Sequence, residues 1–283
     1  MNRKIVRAIP ALPGALLAVV CLGGCTGAGQ ATQPLRVMSY NTLHGEGLDG
    51  KLDLARTAEV IRQANPDIVG LNEVDNNYSS RSNFINEPQW LADALGMHVV
   101  FGETLRSGDP DNPNLYGNAL LSKFPITSWK NHKLSIYRDH EPRGCIEAHI
   151  DINGQNVTVM ATHLDHLNND ARVGQVADIL AAAGPAPRMT ILMGDFNCPP
   201  PHEGQDAQAA RQSEPVAMIL ERFKDTFVLA GQGLAGSFGD GSRRIDYIFV
   251  SPDLADRVKW MKVVRTDLTA VASDHMPVMA LIE

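Results

Sequence analysis

The chain has 283 residues, 44% of them hydrophobic and 20% charged, and carries a formal net charge of −7. That apolar content is ample for a large core, and the absence of linkers, low-complexity tracts and internal repeats excludes a repeat array and points to one domain. The acidic balance counts against a high-affinity, nonspecific nucleic-acid binder, although a local basic patch or a bound cation can still govern a site.

Arg3, Lys4 and Arg7 precede an apolar run over residues 8–22, the basic, apolar, small order of a secretory signal. Pro10, Pro13 and Gly14 interrupt the run, which is too short for a good membrane span. Leu22-Gly23-Gly24-Cys25 resembles a bacterial lipobox, which implies cleavage before Cys25 and a lipid on that cysteine. The expected organisation is a signal peptide over 1–24, a polar tether over 25–34 and one domain over 35–283. Loss of Arg3, Lys4 and Arg7 takes the charge from −7 to −10.

Within the domain, residues 35–40 read as a strand leading into Asn41. A helix over 52–65 has Leu54, Ala58 and Ile61 on one stripe and Pro66 beyond its end. The strand over 67–72 leads into Glu73, and a long polar loop over 75–88 carries Tyr78, Arg81 and Phe84. A second helix over 88–95 closes at Gly96. Strands follow at 97–101, 119–121 and 145–150, and another over 157–162 runs into His163. A third helix over 169–183 stops at Gly184-Pro185. The run over 189–193 ends in Gly194-Asp195-Phe196-Asn197, where an acid and an amide at i and i+2 point to the same side. After a polar loop over 199–214 come a fourth helix over 215–223 and strands over 245–250, 258–264 and 277–282. Asp246 stands at the start of the first of these, and Ser273-Asp274-His275 precedes the last. About ten strands with scattered helices indicate two packed sheets with helices outside.

Asn41, Glu73, His163, Asp195, Asn197, Asp246, Asp274 and His275 thus sit at strand ends, where α/β folds place their active sites. Together they form an inventory for hard-cation binding and acid–base work.

Six motifs occur in order: Tyr40-Asn41, Leu71-Asn72-Glu73-Val74, Thr162-His163-Leu164, Gly194-Asp195-Phe196-Asn197, Arg244-Ile245-Asp246-Tyr247 and Ser273-Asp274-His275-Met276-Pro277. From Leu35 to Glu283 the chain resembles the endonuclease/exonuclease/phosphatase superfamily of metal-dependent phosphohydrolases. The resemblance implies a four-layer α/β/β/α sandwich of two packed mixed sheets flanked by helices. It implies Mg²⁺ or Mn²⁺ held by Glu73, with Asn41 and Asp274 as co-ligands. It makes His275 the general base oriented by Asp246, and His163 a general acid or phosphate-stabilising group. Asp195 then positions the attacking water or is itself the base, and Asn197 holds a phosphoryl oxygen or a water. Asn118 resembles a position near the scissile phosphate, and Arg143 is a candidate phosphate binder alongside a plain turn role. His44 could touch metal or substrate; Asp165 and His166 read as structural or solvent-facing. The two-histidine layout looks more like the sphingomyelinase and deoxyribonuclease branches than the abasic-site branch.

Cys145 and Cys198 leave two states open, a disulfide and buried free thiols, and their spacing does not resemble a zinc site. The expected protein is an exported, lipid-anchored monomer that hydrolyses a small or lipid phosphodiester at the cell envelope. Two rivals are a secreted DNA or RNA endonuclease and a catalytically silent envelope-binding lipoprotein. Aromatic content is only 6% and no basic run interleaves with aromatics, so a single-strand stacking platform is not indicated.

Overall fold

The computed structural model describes residues 34–283; the expected signal peptide and the expected lipidation site Cys25 lie outside the described residues. In chain order the elements are β1 (Leu35–Asn41), α1 (Leu54–Ala64), β2 (Ile68–Asn76), α2 (Glu87–Leu95), β3 (His98–Asp109), β4 (Asn112–Ser122), β5 (Ile126–Lys133), β6 (Gly144–Ile152) and β7 (Gln155–His163). There follow α3 (Asn169–Ala183), β8 (Thr190–Asp195), α4 (Ala207–Leu220), β9 (Lys224–Asp225), α5 (Thr226–Ala230), β10 (Gly231–Gln232), β11 (Asp246–Val250), β12 (Val258–Val263), α6 (Thr269–Ala272) and β13 (Val278–Ile282).

The strands form two mixed sheets, one of seven strands in the order β10-β12-β13-β1-β2-β4-β3 and one of six in the order β5-β6-β7-β8-β11-β9. Alternation along each strand divides its side chains between two layers. In β1, Val37 faces the other sheet, joining Ile146, Val159 and Ile191 in the core between the sheets. Its neighbours Met38 and Tyr40 face outwards onto Ala58 and Ile61 of α1 and Leu91 of α2. On the far side, Met160, Leu192 and Phe249 pack against Val176 and Ile179 of α3 and Val216 and Ile219 of α4. The result is the expected α/β/β/α sandwich.

Local chemistry sets the helix ends. Asp53 accepts from the Arg56 backbone N–H to start α1, and Asn65 closes it in the left-handed region just before Pro66. Asn86 and Gly96 do the same for α2, and Asn168 caps α3. The fourth helix differs from its expected position. It starts not at Pro215 but at an Asp206 cap, and Pro215 lies inside it. A proline there leaves the carbonyl four residues back without its helical partner. That carbonyl, Arg211 O, instead accepts from Asn169 Nδ2 of α3 at 2.8 Å, so the helix continues through. The β3–β4 hairpin is also longer than its apolar segments predict, because paired backbone rather than apolar alternation carries residues 102–118. Cys145 and Cys198 are both buried free thiols.

Candidate active site

Strand pairing brings the polar strand ends together. Asn41 is in register with Asn72, His163 with Asp195, and Asp195 with Asp246. Glu73 lies where the β2–β4 register shifts, with a positive φ of 56°. This bulge re-aims the glutamate at a cost of about 1 kcal/mol or more of backbone strain. Asn197, just beyond β8, also has a positive φ of 48°. Strain at two such positions is typical of functional sites.

Glu73, Arg143, His163, Asp195, Asn197, Asp274 and His275 line one cleft of about 330 Å³. Asp195 is its centre. Its Oδ2 lies 3.6 Å from His163 Nε2 and 3.5 Å from His275 Nε2. His275 Nδ1 in turn lies 2.8 Å from Asp246 Oδ2, an oxygen that also accepts from Ser237 Oγ at 2.6 Å. Asp246 therefore stands behind the cleft and fixes the ring.

His163 is held differently. Arg143 Nη1 lies 3.0 Å from its Nδ1 and Nη2 lies 3.1 Å from His166 Nδ1. A guanidinium only donates, so Nδ1 is the unprotonated nitrogen and the ring proton sits on Nε2, facing Asp195. The Asn197 amide nitrogen lies 3.0 Å from Nε2 and donates to Leu164 O at 3.1 Å.

Burial opposes a proton on both histidines, and their neighbouring charges drive the two apart. Burial, then the Arg143 and His275 charges, push His163 well below the usual histidine range, so it stays neutral. Burial also opposes a proton on His275, but Asp246, Asp195 and Asp274 outweigh it and raise that group to about 10. Asp195 is pushed up from the carboxylate range to about 7, by burial first and then by the Asp246 charge.

Asn41 is buried below the cleft. Its Nδ2 donates to Glu73 Oε1 at 2.9 Å and to Asp195 Oδ2 at 3.2 Å, and lies 3.4 Å from His275 Nε2. The two protons of this amide thus serve two carboxylate oxygens, with the protonated His275 ring close beside them. Asp246 Oδ1 is buried without a partner, and five carboxylates surround or back the cleft: Glu73, Glu141, Asp195 and Asp274 line it and Asp246 stands behind. This excess of oxygen acceptors fits a hard divalent cation. Asp195, Asp246 and His275 bring ligand-capable atoms within 4.8 Å of one another. Asn41 turns its nitrogen towards Glu73, while its oxygen accepts from Leu43 N at 3.2 Å.

Two expectations find a different placement. Asn118 is buried and does not line the cleft; its Oδ1 accepts from Asn72 Nδ2 at 2.8 Å and its Nδ2 donates to Gly144 O at 3.1 Å. His44 is not a lining residue either, and its Nε2 lies 3.7 Å from Glu46. Asp165 is structural, accepting from Leu167 N and Asn168 N and facing His140 Nδ1 at 2.8 Å. Arg143 lines the cleft while gripping both histidines, and His166, read as structural or solvent-facing, lines it too.

Sequence reasoning missed Asn72. Its side chain bonds Asn118, the Thr162 carbonyl at 2.9 Å and the Asp195 backbone N–H at 3.0 Å, tying the two sheets together under the site. It also passed over the Tyr78–Arg81–Tyr116 wall. There Arg81 lies over both rings, 4.8 and 5.3 Å from their centroids, and pairs with buried Asp75. An Asn inside an apolar strand, next to a glutamate of the site, was the available signal for Asn72.

Comparison with known proteins agrees with this architecture. The sequence model described as Endonuclease/Exonuclease/phosphatase family matches residues 38–275. The uncharacterized protein YbhP of Escherichia coli (strain K12) is 25% identical over 179 residues, spanning 57% of this chain and 66% of that protein, just under two thirds of its length. An endonuclease/exonuclease/phosphatase from Beutenbergia cavernae superposes with a TM-score of 0.71 at 24% identity, over 88% of this chain and 71% of that one. A mannosyl-6-phosphatase of Bacteroides thetaiotaomicron gives 0.64 at 22% identity, over 88% and 100%. At these identities the structural likeness is one of fold.

Proposed function

The chain belongs to the endonuclease/exonuclease/phosphatase family, matched over residues 38–275, whose members hydrolyse phosphoester bonds, and on that premise we propose that it is a divalent-cation-dependent hydrolase of a small or lipid phosphodiester at the cell envelope. The observation that carries the reading is Asp195, set between two histidines at 3.6 and 3.5 Å, one neutral and one paired with a buried aspartate.

Mg²⁺ or Mn²⁺ would be held by Glu73 with Asn41 and Asp274 beside it, and when bound supplies charge neutralisation at the phosphoryl oxygens. The remaining steps belong to the side chains. Asp195, raised towards neutrality, orients the attacking water and takes its proton. His275, locked by Asp246 with its proton retained, stabilises the negative charge that develops on phosphorus-bound oxygen. This favours Asp195 over His275 as the base. His163 stays neutral under Arg143 and offers a hydrogen bond from Nε2 on the side of Asp195 away from His275, and the leaving oxygen takes its proton from solvent water. Asn197 orients the phosphate, and Arg143, already engaged with His163, His166 and Glu141, adds positive charge to the wall of the cleft.

The acidic charge and the lipobox-like Cys25 favour an envelope substrate over nucleic acid, and a lipidated Cys25 would anchor the protein to the membrane. The purified full chain, assayed in parallel on bis(p-nitrophenyl) phosphate, sphingomyelin, plasmid DNA and RNA, tests the reading. Mg²⁺-dependent cleavage of a small or lipid diester, abolished by EDTA, supports it. Cleavage of DNA or RNA alone moves the protein to the nuclease branch. No cleavage together with no Mg²⁺-dependent thermal shift favours a silent binder.

A further inference from the structure

A second cavity, of about 490 Å³, adjoins the catalytic cleft, and His166 and Asn197 line both. Its other walls carry Arg172, Arg243 and Arg244, which differ in how their charge is balanced. Arg244 is neutralised, its Nη2 donating to both Asp225 oxygens at 2.5 and 2.7 Å while its guanidinium covers Phe227 and Tyr247. Arg172 is not. Only 8% of it is exposed, its N–H groups donate to the neutral oxygens of Asp165 O at 2.9 Å and Asn169 Oδ1 at 3.3 Å, and its buried Nε has no partner. Arg243 is exposed and lies over the Phe238 ring at 4.9 Å. Among the described residues, neither Arg172 nor Arg243 forms an ion pair with a carboxylate.

Two guanidiniums without an ion-paired carboxylate, one of them largely buried, line this cavity. Burial works most strongly against the charge on Arg172; the Asp165 and Asp195 carboxylates nearby offset part of that cost, and the Arg243 charge adds to it. An anion between them reverses that balance, because guanidinium forks match phosphate oxygens and charge-assisted bonds gain strength out of water. Ser242 and Gln212, on the same walls, add neutral donors. This arrangement stands out in a chain of net charge −7.

We propose that this annex binds a second phosphoryl group of the substrate, so that the preferred substrate places its scissile phosphate in the cleft and a non-reacting phosphate against Arg172 and Arg243. The substrate assignment rests on the phosphoester reading of the cleft; the anion site itself does not depend on turnover.

Two arms test it on the purified full chain. In the first, inorganic phosphate is titrated by calorimetry in EDTA into the wild type, Arg243→Gln and the charge-matched control Arg106→Gln, which lies on the β3–β4 hairpin. Arg243→Gln weakens binding about tenfold or more, the scale of one charge-assisted contact, and Arg106→Gln leaves it within about twofold. Equal affinities in all three overturn the site. In the second arm, with Mg²⁺, kcat/KM is compared for thymidine 5′-(p-nitrophenyl) phosphate with and without a 3′-phosphate. The wild type prefers the doubly phosphorylated diester about tenfold, and Arg243→Gln removes the preference. Arg243-dependent phosphate binding without that preference overturns the substrate role and leaves a site for free phosphate. Arg243-dependent binding with no turnover of either diester overturns the hydrolase reading while the anion site stands.

Discussion

His275 Nδ1 and Asp246 Oδ2 lie 2.8 Å apart in a fully buried pocket, and this pair sets the charge state of the site. Asp246→Asn removes the main support for the imidazolium while keeping the side-chain volume. The variant folds, the His275 titration seen by NMR moves down from about 10, and kcat falls by about two to four orders of magnitude. A wild-type turnover in Asp246→Asn removes the pair from the mechanism.

The same pair predicts how stability depends on pH. The folded-state value of His275 is raised above its ordinary 6.5 to about 10. Its contribution is therefore complete below about pH 6.5 and is lost as pH rises towards 10. In EDTA, urea unfolding should lose on the order of a few kcal/mol across that window. His275→Gln should flatten the slope, and an unchanged slope in that variant assigns it to another group.

Glu73 is held in a strained, left-handed backbone conformation at the β2 bulge, which turns its carboxylate into the cleft. Glu73→Gln keeps the shape and removes the charge. The wild type should gain melting temperature as Mg²⁺ is added, following the linkage between binding and stability. The variant should show at least a tenfold weaker Mg²⁺ midpoint, about 1.4 kcal/mol or more. Identical midpoints in the two proteins would falsify Glu73 as a cation ligand.

Asn72 joins the two sheets directly below Asp195. Asn72→Ala leaves the Asp195 N–H, the Thr162 carbonyl and Asn118 Oδ1 without a partner in the interior. We expect a loss of about 2–4 kcal/mol in chemical denaturation. Activity should fall further than the folded fraction accounts for, because the β8 end that carries Asp195 loses its tether. A stability change below about 0.5 kcal/mol would show that the network is dispensable.

Gly194 precedes Asp195 with φ near +149°. A Cβ there would collide with the Thr162 carbonyl oxygen of the neighbouring strand, in a backbone region open essentially to glycine alone. Gly194→Ala should cost more than about 4 kcal/mol or prevent soluble expression. Near-wild-type thermal unfolding in this variant would contradict the β7–β8 geometry.

Much of the architecture could be read from local pattern. Apolar runs with polar ends located β1, β2, β7, β8, β11 and β13, and caps such as Asn65 and Gly96 ended helices where expected. The failures were also local in origin. Pro215 looked like a helix start because nothing in its neighbourhood reveals that Asn169, on another helix, accepts the burden of the Arg211 carbonyl. The β3–β4 hairpin was read too short because its distal half is polar and Gly-containing, and only backbone pairing holds it.

The sequence by itself determined which chemistry is present: carboxylates, amides and imidazoles at the ends of apolar strands, in an order resembling one superfamily. Only the tertiary structure decided what each group does. Asn41 meets Asp195 across 154 residues of chain, a contact set by sheet order and register, to which hydrophobic periodicity is blind. The opposite charge states of His163 and His275 come from burial and from the differing partners Arg143 and Asp246. Two histidines of equal intrinsic basicity differ only through that three-dimensional surrounding.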